Sequence, residues 1–350
     1  MRKKILVDIY LVNNLGDDMF LDYLAIKYPE FDFVPFHPGK NYKSFFMNYN
    51  NVKQFPYTIV DKILKKIGHN KLTDYKRLSA NYDGLLFLGG GIFREESYWK
   101  SVFEYRKGII NAFKSKNKPV WFMGCNFGPY NSDEFYNQYE RLFSGIDSIN
   151  FRDKKSFELF TSLSNAGCYP DILWDYTIPS VEKKEDYLGI SVINPKHKEG
   201  YSKFHDEYIE SHVRMILKFK KQNFKIRLFS FCKSEGDLKI CKEIQKQIKD
   251  VEIVDYQGNI KDFLKCFGEC SYFIAARFHA NILAIKYNMQ LIPIIYSDKT
   301  ENLLDDLEYD FKKIRLDNIS ELYETRFVCF DKSKIDILIL DSKKHLTLNI

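Results

Sequence analysis

No stretch of the 350 residues approaches the roughly eighteen consecutive apolar positions that a bilayer-spanning helix needs. The opening Met1-Arg2-Lys3-Lys4-Ile5-Leu6-Val7 is broken by Asp8, and no small-residue cleavage site follows. It therefore reads as a first core strand and not as a secretory leader. Cysteine is sparse: seven residues, an odd number, dispersed except for Cys266 and Cys270 at helical i,i+4 spacing, with no second pair to complete a zinc site. Such usage suits reduced thiols in a cytoplasmic protein. Neither G-x-G-x-x-G nor G-x-x-x-x-G-K-[ST] occurs, which removes the dinucleotide fingerprint and the P-loop. No D-x-D occurs, so a metal-dependent nucleotide-sugar site of that kind is not expected, and no other metal-ligand set is visible. Lys and Arg exceed Asp and Glu by 53 to 47, with no run dense enough to read as a nucleic-acid arm. That mild excess is compatible with an anionic membrane surface or acidic glycans without demanding either.

What is present is a globular composition, 45% hydrophobic and 29% charged, long enough for one large core or two ordinary domains. Short β-branched runs alternate with helical patterns from end to end, the mark of parallel α/β units. Strands are expected over 4–11, 31–36, 84–88, 119–123 and 146–151, with helices from Asp17, near 58–67, over 98–113 and from about Lys155. A Pro-led charged stretch, Pro179 to Asp186, is the best linker. Beyond it come strands over 187–192, 225–231, 251–254, 272–275 and 291–296, and helices over 206–220, 237–248, 260–267 and from His279. The last segment, 334–346, fits either a helix or a strand. These patterns predict two doubly wound α/β domains facing a cleft, divided as 1–179 and 186–330, with 331–350 packing back on the first.

Candidate site residues cluster just past predicted strand ends, the edge at which open α/β sheets bind ligands. In Ala275-Ala276-Arg277-Phe278-His279-Ala280 a strand stops at Arg277 and a helix begins at His279; Lys299 follows at the end of the next strand. A helix N-terminus favours anions, and an Arg, a His and a Lys gathered there suit a small anion of several charges. Gly89, Gly90 and Gly91 permit close backbone approach to a ligand or form a tight turn. Asn14-Leu15-Gly16-Asp17 reads equally as a turn with Asp17 as helix cap or as a substrate loop. Arg152-Asp153 reads as a surface ion pair or as part of the site, and Asp171 as a turn cap. His37, His69, His197, His205, His212 and His345 have no partners at ligand spacing and are taken as structural or solvated.

Taken in order, Asn14-Leu15-Gly16-Asp17, Leu88-Gly89-Gly90-Gly91, Gly124-Cys125-Asn126-Phe127-Gly128-Pro129, Arg152-Asp153-Lys154-Lys155-Ser156, Pro170-Asp171, Arg277-Phe278-His279 and Tyr296-Ser297-Asp298-Lys299 resemble the polysaccharide pyruvyl transferase family, over about residues 5 to 310. The resemblance implies a GT-B-like fold of two Rossmann-like domains. It implies transfer of pyruvate from phosphoenolpyruvate to two hydroxyls of a sugar, as a ketal with release of phosphate, and no cofactor besides that donor. Arg277, His279, Lys299 and Arg152 would hold the donor or act on it, with His279 moving protons and Lys299 screening phosphate. Asp17, Gly89, Gly90, Gly91 and Asn126 would face the acceptor, a sugar or lipid-linked oligosaccharide of a bacterial surface polysaccharide. A cytoplasmic enzyme is implied, peripheral to the inner face of the membrane if its acceptor is lipid-linked, with no nucleic-acid partner. Departures are Ala275, where the family often has Ser or Gly, and Ile193-Asn194-Pro195-Lys196, where an Arg is usual and Lys196 is a substitute. The competing readings are a GT-B glycosyltransferase using a nucleotide sugar and a non-catalytic glycan- or anion-binding scaffold.

Overall fold

The computed structural model describes residues 2–36, 42–66, 71–309 and 311–345. His37, His69, Ile67 and part of the polar 40–81 stretch lie outside the described residues. The chain divides into two compact units, one made of Met1–Leu11, Phe20–Ile172 and Asp341–Ile350, the other of Val12–Met19 and Leu173–Leu340.

The first unit is built on six parallel strands: β1 (Lys3–Ile9), β2 (Phe31–Pro35), β3 (Gly84–Leu88), β4 (Val120–Cys125), β5 (Ser148–Phe151) and β6 (Ala166–Cys168), in the order β2-β1-β3-β4-β5-β6. Every residue of β3 and β4 is buried, which is why they read as continuous apolar runs instead of alternating ones. The aromatic content of 16% is used here. Phe87 stacks on Phe122 at 4.3 Å, and Phe93, Phe127, Tyr139 and Phe143 pack edge to face around them. Arg106 lies 5.0 Å from the Phe93 ring centre and donates to the Tyr139 hydroxyl at 2.9 Å.

The second unit carries β7 (Lys184–Ser191), β8 (Lys225–Ser230), β9 (Val251–Asp255), β10 (Cys270–Ala275), β11 (Gln290–Ile295) and β12 (Ile314–Arg315), ordered β12-β11-β10-β7-β8-β9 and all parallel. In chain order this is the Rossmann arrangement, with the order reversing between β7 and β10. Ala275, the last residue of β10, is in register with Ser191, the last of β7. The turn after β10 therefore sits at the topological switch point.

Several elements depart from the sequence reading. The Asp133–Ser144 helix was not expected, although Ser132 caps it by accepting from the Phe135 amide and Phe135, Tyr139, Leu142 and Phe143 recur on its buried face. Lys299 does not merely follow a strand; it lies in the first turn of the Asp298–Asp306 helix. The terminal segment is helical over Lys332–Ser342. The division of the chain also needs correction. Residues Val12–Met19 belong with the C-terminal unit, because the Leu15 amide donates to the Phe231 carbonyl, Asn14 bridges Cys232 and Tyr256 donates to Asp18. Leu173 to Pro179 join the same unit, Lys286 reaching the Trp174 carbonyl and Tyr287 that of Pro179. Of the last segment only residues from Asp341 pack with the N-terminal unit, His345 Nε2 donating to the Pro170 carbonyl at 2.7 Å.

Candidate functional site

In the second unit the site grows from the end of β10. The Ala276 and Arg277 amides both turn to the Ser191 hydroxyl at the end of β7, at 3.1 and 3.3 Å, which fixes the start of the Phe278–Lys286 helix. Arg277 is buried, and its side chain runs away from solvent. Nε donates to Asp237 Oδ2 at 2.9 Å, Nη2 to Asp237 Oδ1, and Nη1 to Glu235 Oε2 at 2.7 Å. Asp237 is wholly buried and also accepts from the Phe231 and Cys232 amides at 3.1 Å each. Burial alone would lower the Arg277 pKa; Asp237 and Glu235 outweigh it and hold the guanidinium charged. Arg277 is thus a braced group whose charge is matched inside the protein.

His279, in the first turn of that helix, packs against the Asn14–Asp17 turn. A Cβ on Gly16 would lie 1.7 Å from His279 Nδ1, so only glycine leaves the ring its place. Gly16 is held by its own amide, which donates to Asn14 Oδ1 at 3.1 Å. Asp17 is half-buried in the same helical turn, beside Asp18, whose carboxylate accepts from Tyr256 at 2.6 Å. Lys299 comes within 5.9 Å of the Phe278 ring centre. The Asn14–Asp17 motif, Arg277, His279 and Lys299 therefore share one unit.

Two residues of this neighbourhood were missed from sequence. Lys198 donates to Glu235 at 2.9 Å and lies 5.3 Å from the Tyr296 ring centre. Lys196, the substitute suggested by sequence, is exposed, so the lysine reaching this cluster is two residues further on. Tyr296 is buried, and burial would raise its pKa; Lys299, Lys198 and Arg277 together overcome that and lower it. Glu235 is likewise opposed by burial, but Arg277 and Lys198 pull its carboxyl well below the usual range. Tyr296 stands in the Tyr296-Ser297-Asp298-Lys299 motif, two residues before the helix that carries Lys299, but nothing in its spacing marked it as part of the site.

The remaining candidates assemble in the first unit. Arg152 and Asp153 are buried and are not a surface pair with one another. Arg152 donates through Nε to Asn126 Oδ1 at 2.6 Å and through Nη1 to Asp171 Oδ2 at 2.8 Å. Asp153 caps the Lys154–Glu158 helix by accepting from the Ser156 amide at 2.9 Å, and also accepts from Asn126 Nδ2. A Cβ on Gly90 would stand 2.2 Å from Arg152 Nη2, so the group that approaches this backbone closely is the guanidinium. Gly89 needs to be glycine for another reason, its φ of +141°. Gly91 is exposed and meets neither constraint. Behind Asp171 sits His345, buried, with its pKa lowered to about 4, chiefly by desolvation. Among the other histidines, His212 is buried against the Tyr208 carbonyl and likewise lowered to about 4 by burial, and His205 meets Glu243 at 2.8 Å. Among the described residues no group of three or more His, Cys, Asp or Glu is arranged to hold a metal ion.

Comparison with known proteins gives two findings. The family model described as polysaccharide pyruvyl transferase matches residues 14–298. Among solved structures, that of Anabaena Alr3699/HepE in complex with UDP-glucose superposes with a TM-score of 0.58 at 11% identity, covering 98% of this chain and 91% of that one. S. aureus MnaA, in a co-structure with UDP, gives 0.57 at 11% identity over 98% and 91%. A UDP-N-acetylglucosamine 2-epimerase from Rickettsia bellii gives 0.54 at 13% over 98% and 95%. At such identities the likeness establishes the fold, which is GT-B-like.

Proposed function

The chain belongs to the polysaccharide pyruvyl transferase family, and from that premise we propose that it transfers pyruvate from phosphoenolpyruvate to two hydroxyls of a sugar, as a ketal. The observation that carries this reading is that His279 opens a helix at the switch point next to Phe278, over whose ring Lys299 lies, while Lys299, Lys198 and Arg277 together lower the pKa of the buried Tyr296. Phosphoenolpyruvate carries a phosphate and a carboxylate, and a helix start flanked by lysines complements both. In the reaction C3 gains a proton, C2 becomes electrophilic and bonds the first sugar oxygen, whose proton passes to the base; the bond between C2 and the phosphate oxygen then breaks, and the second hydroxyl bonds C2 to close the ketal as its proton leaves with phosphate. His279 is the proposed acid and base for these proton transfers. Lys299 stabilises charge gathering on the departing phosphate. Arg277 is proposed as a positioning residue, since its guanidinium already serves Asp237 and Glu235. Asp17, Asn126 and the Gly89–Gly91 turn remain proposed acceptor-side groups, with Arg152 bracing that turn.

Ligand-induced thermal stabilisation tests the donor. Phosphoenolpyruvate is expected to raise the melting temperature, and UDP- and GDP-sugars are not. Stabilisation by the nucleotide sugars alone would replace this reading with that of a glycosyltransferase. In a His279→Ala variant, donor binding should survive while phosphate release with acceptor is lost.

A further inference from the structure

The charge of this protein is concentrated in a short stretch. Residues 53–77 hold seven Lys or Arg against two Asp, an excess of five in a chain whose whole excess is six. Six of the seven, Lys53, Lys62, Lys65, Lys66, Lys76 and Arg77, are exposed. The same stretch contains the Ile59–Lys66 helix, whose Ile59, Val60 and Ile63 are 68%, 62% and 57% exposed. At 100° per residue those three fall within an arc of about 100°, and Lys66 and Lys62 follow along one edge of it.

The local sequence fixes this orientation. Thr58 and Asp61 form a reciprocal cap: the Thr58 amide donates to Asp61 Oδ2 at 2.6 Å and the Asp61 amide to Thr58 Oγ1 at 3.2 Å. Lys71 then draws Asp61 inward at 3.3 Å, so the acidic residue is buried and the aliphatic stripe faces out. Beside the helix, sharing Lys71, lies a pocket of about 450 Å³ lined by Lys4, Lys53, Phe55, Pro56 and Arg77. A soluble face gains nothing from three bare aliphatics, whereas a bilayer interface accepts them and binds the flanking lysines through anionic headgroups.

We infer that this face is a docking surface for an anionic lipid bilayer, the helix lying in the interface with Ile59, Val60 and Ile63 inserted and the basic pocket receiving a headgroup phosphate. The inference stands apart from the chemistry proposed above, since none of these residues belongs to the candidate site. The full chain should co-sediment with vesicles of phosphatidylcholine containing about one-third phosphatidylglycerol and not with phosphatidylcholine alone, and binding should weaken as salt rises. At about fivefold per lysine near the surface, Lys62→Gln/Lys65→Gln/Lys66→Gln should bind on the order of a hundredfold more weakly. Ile59→Ser/Val60→Ser/Ile63→Ser should lose binding as well, with melting temperature and phosphoenolpyruvate stabilisation unchanged in both variants. Equal binding to neutral and anionic vesicles, or wild-type binding by either triple variant, overturns the inference. So does absence of vesicle binding together with a dimer that the serine variant dissociates, which would assign the face to a second copy of the chain.

Discussion

Adding one methyl group at Gly16 tests whether the observed place of His279 is the working one. In Gly16→Ala the new Cβ would stand 1.7 Å from Nδ1 and 2.4 Å from Cε1. Non-bonded carbon and nitrogen settle near ~3.5 Å, so the ring must retreat by about 2 Å. The backbone offers no objection, since Gly16 lies in the first turn of the Leu15–Lys27 helix without a positive φ. Stability should therefore fall modestly, by about 1–3 kcal/mol for an overpacked position. A misplacement of even ~1 Å costs about a hundredfold in rate, so phosphate release from phosphoenolpyruvate should drop at least that far. Thermal unfolding and phosphate release measured on the same preparation separate the two effects. Removing the ring as well, in Gly16→Ala/His279→Ala, should return the lost stability and leave the activity absent. Wild-type turnover in Gly16→Ala, or a double variant no more stable than the single, would refute the reasoning.

Asp237→Asn leaves the buried Arg277 with Glu235 as its remaining charged partner and should cost about 1.5–3 kcal/mol in urea denaturation; a loss under about 0.5 kcal/mol would mean the pair is not a brace. Gly90→Ala drives Arg152 off Asn126 and Asp171 and should cost roughly 3 kcal/mol, whereas Gly91→Ala, whose Cβ meets only Arg94 at 4.0 Å, should stay within about 0.5 kcal/mol. Equal effects at the two glycines would contradict the contact. His212 and His345, both held near a pKa of about 4 when folded, give stability that is full above the unfolded value of 6.5 and is lost as pH falls toward 4. Each should contribute roughly 3 kcal/mol to that loss, so replacing both should flatten the acid limb of a stability–pH curve; an unchanged limb would refute it.

The strands were legible because parallel sheets buried on both faces leave unbroken apolar runs, as in Gly84–Leu88 and Gln290–Ile295. The short strands Ala166–Cys168 and Ile314–Arg315 have too few residues to show any period. The helix over Asp133–Ser144 was readable in principle, with its Ser132 cap and its recurring aromatics, whereas Lys332–Ser342 has a composition that suits either state. Chain order also misled at one point. Asn14–Asp17 follows the first strand, yet the Leu15–Phe231 and Tyr256–Asp18 hydrogen bonds bind it to the unit of Arg277. Partners more than two hundred residues apart leave no trace in local spacing.

The same limit explains why three cations in sequence do not make a threefold positive site. Arg277 and Lys198 bring two positive charges and Asp237 and Glu235 two negative ones, so that group cancels. Burial of an unmatched guanidinium would cost several kcal/mol, and the carboxylates forty residues earlier meet that demand. In the proposed site, attraction for an anion would then fall to Lys299, the amides opening the Phe278–Lys286 helix, and His279 when protonated. The field nevertheless stays positive where it matters, because Lys299, Lys198 and Arg277 overcome both burial and Glu235 to lower the Tyr296 pKa. A phenol so placed is a stronger hydrogen-bond donor than an ordinary tyrosine, suited to an anionic oxygen. The cation pattern thus marks the turn at the topological switch point, while the polarity of that turn depends on which of those cations the fold has already neutralised.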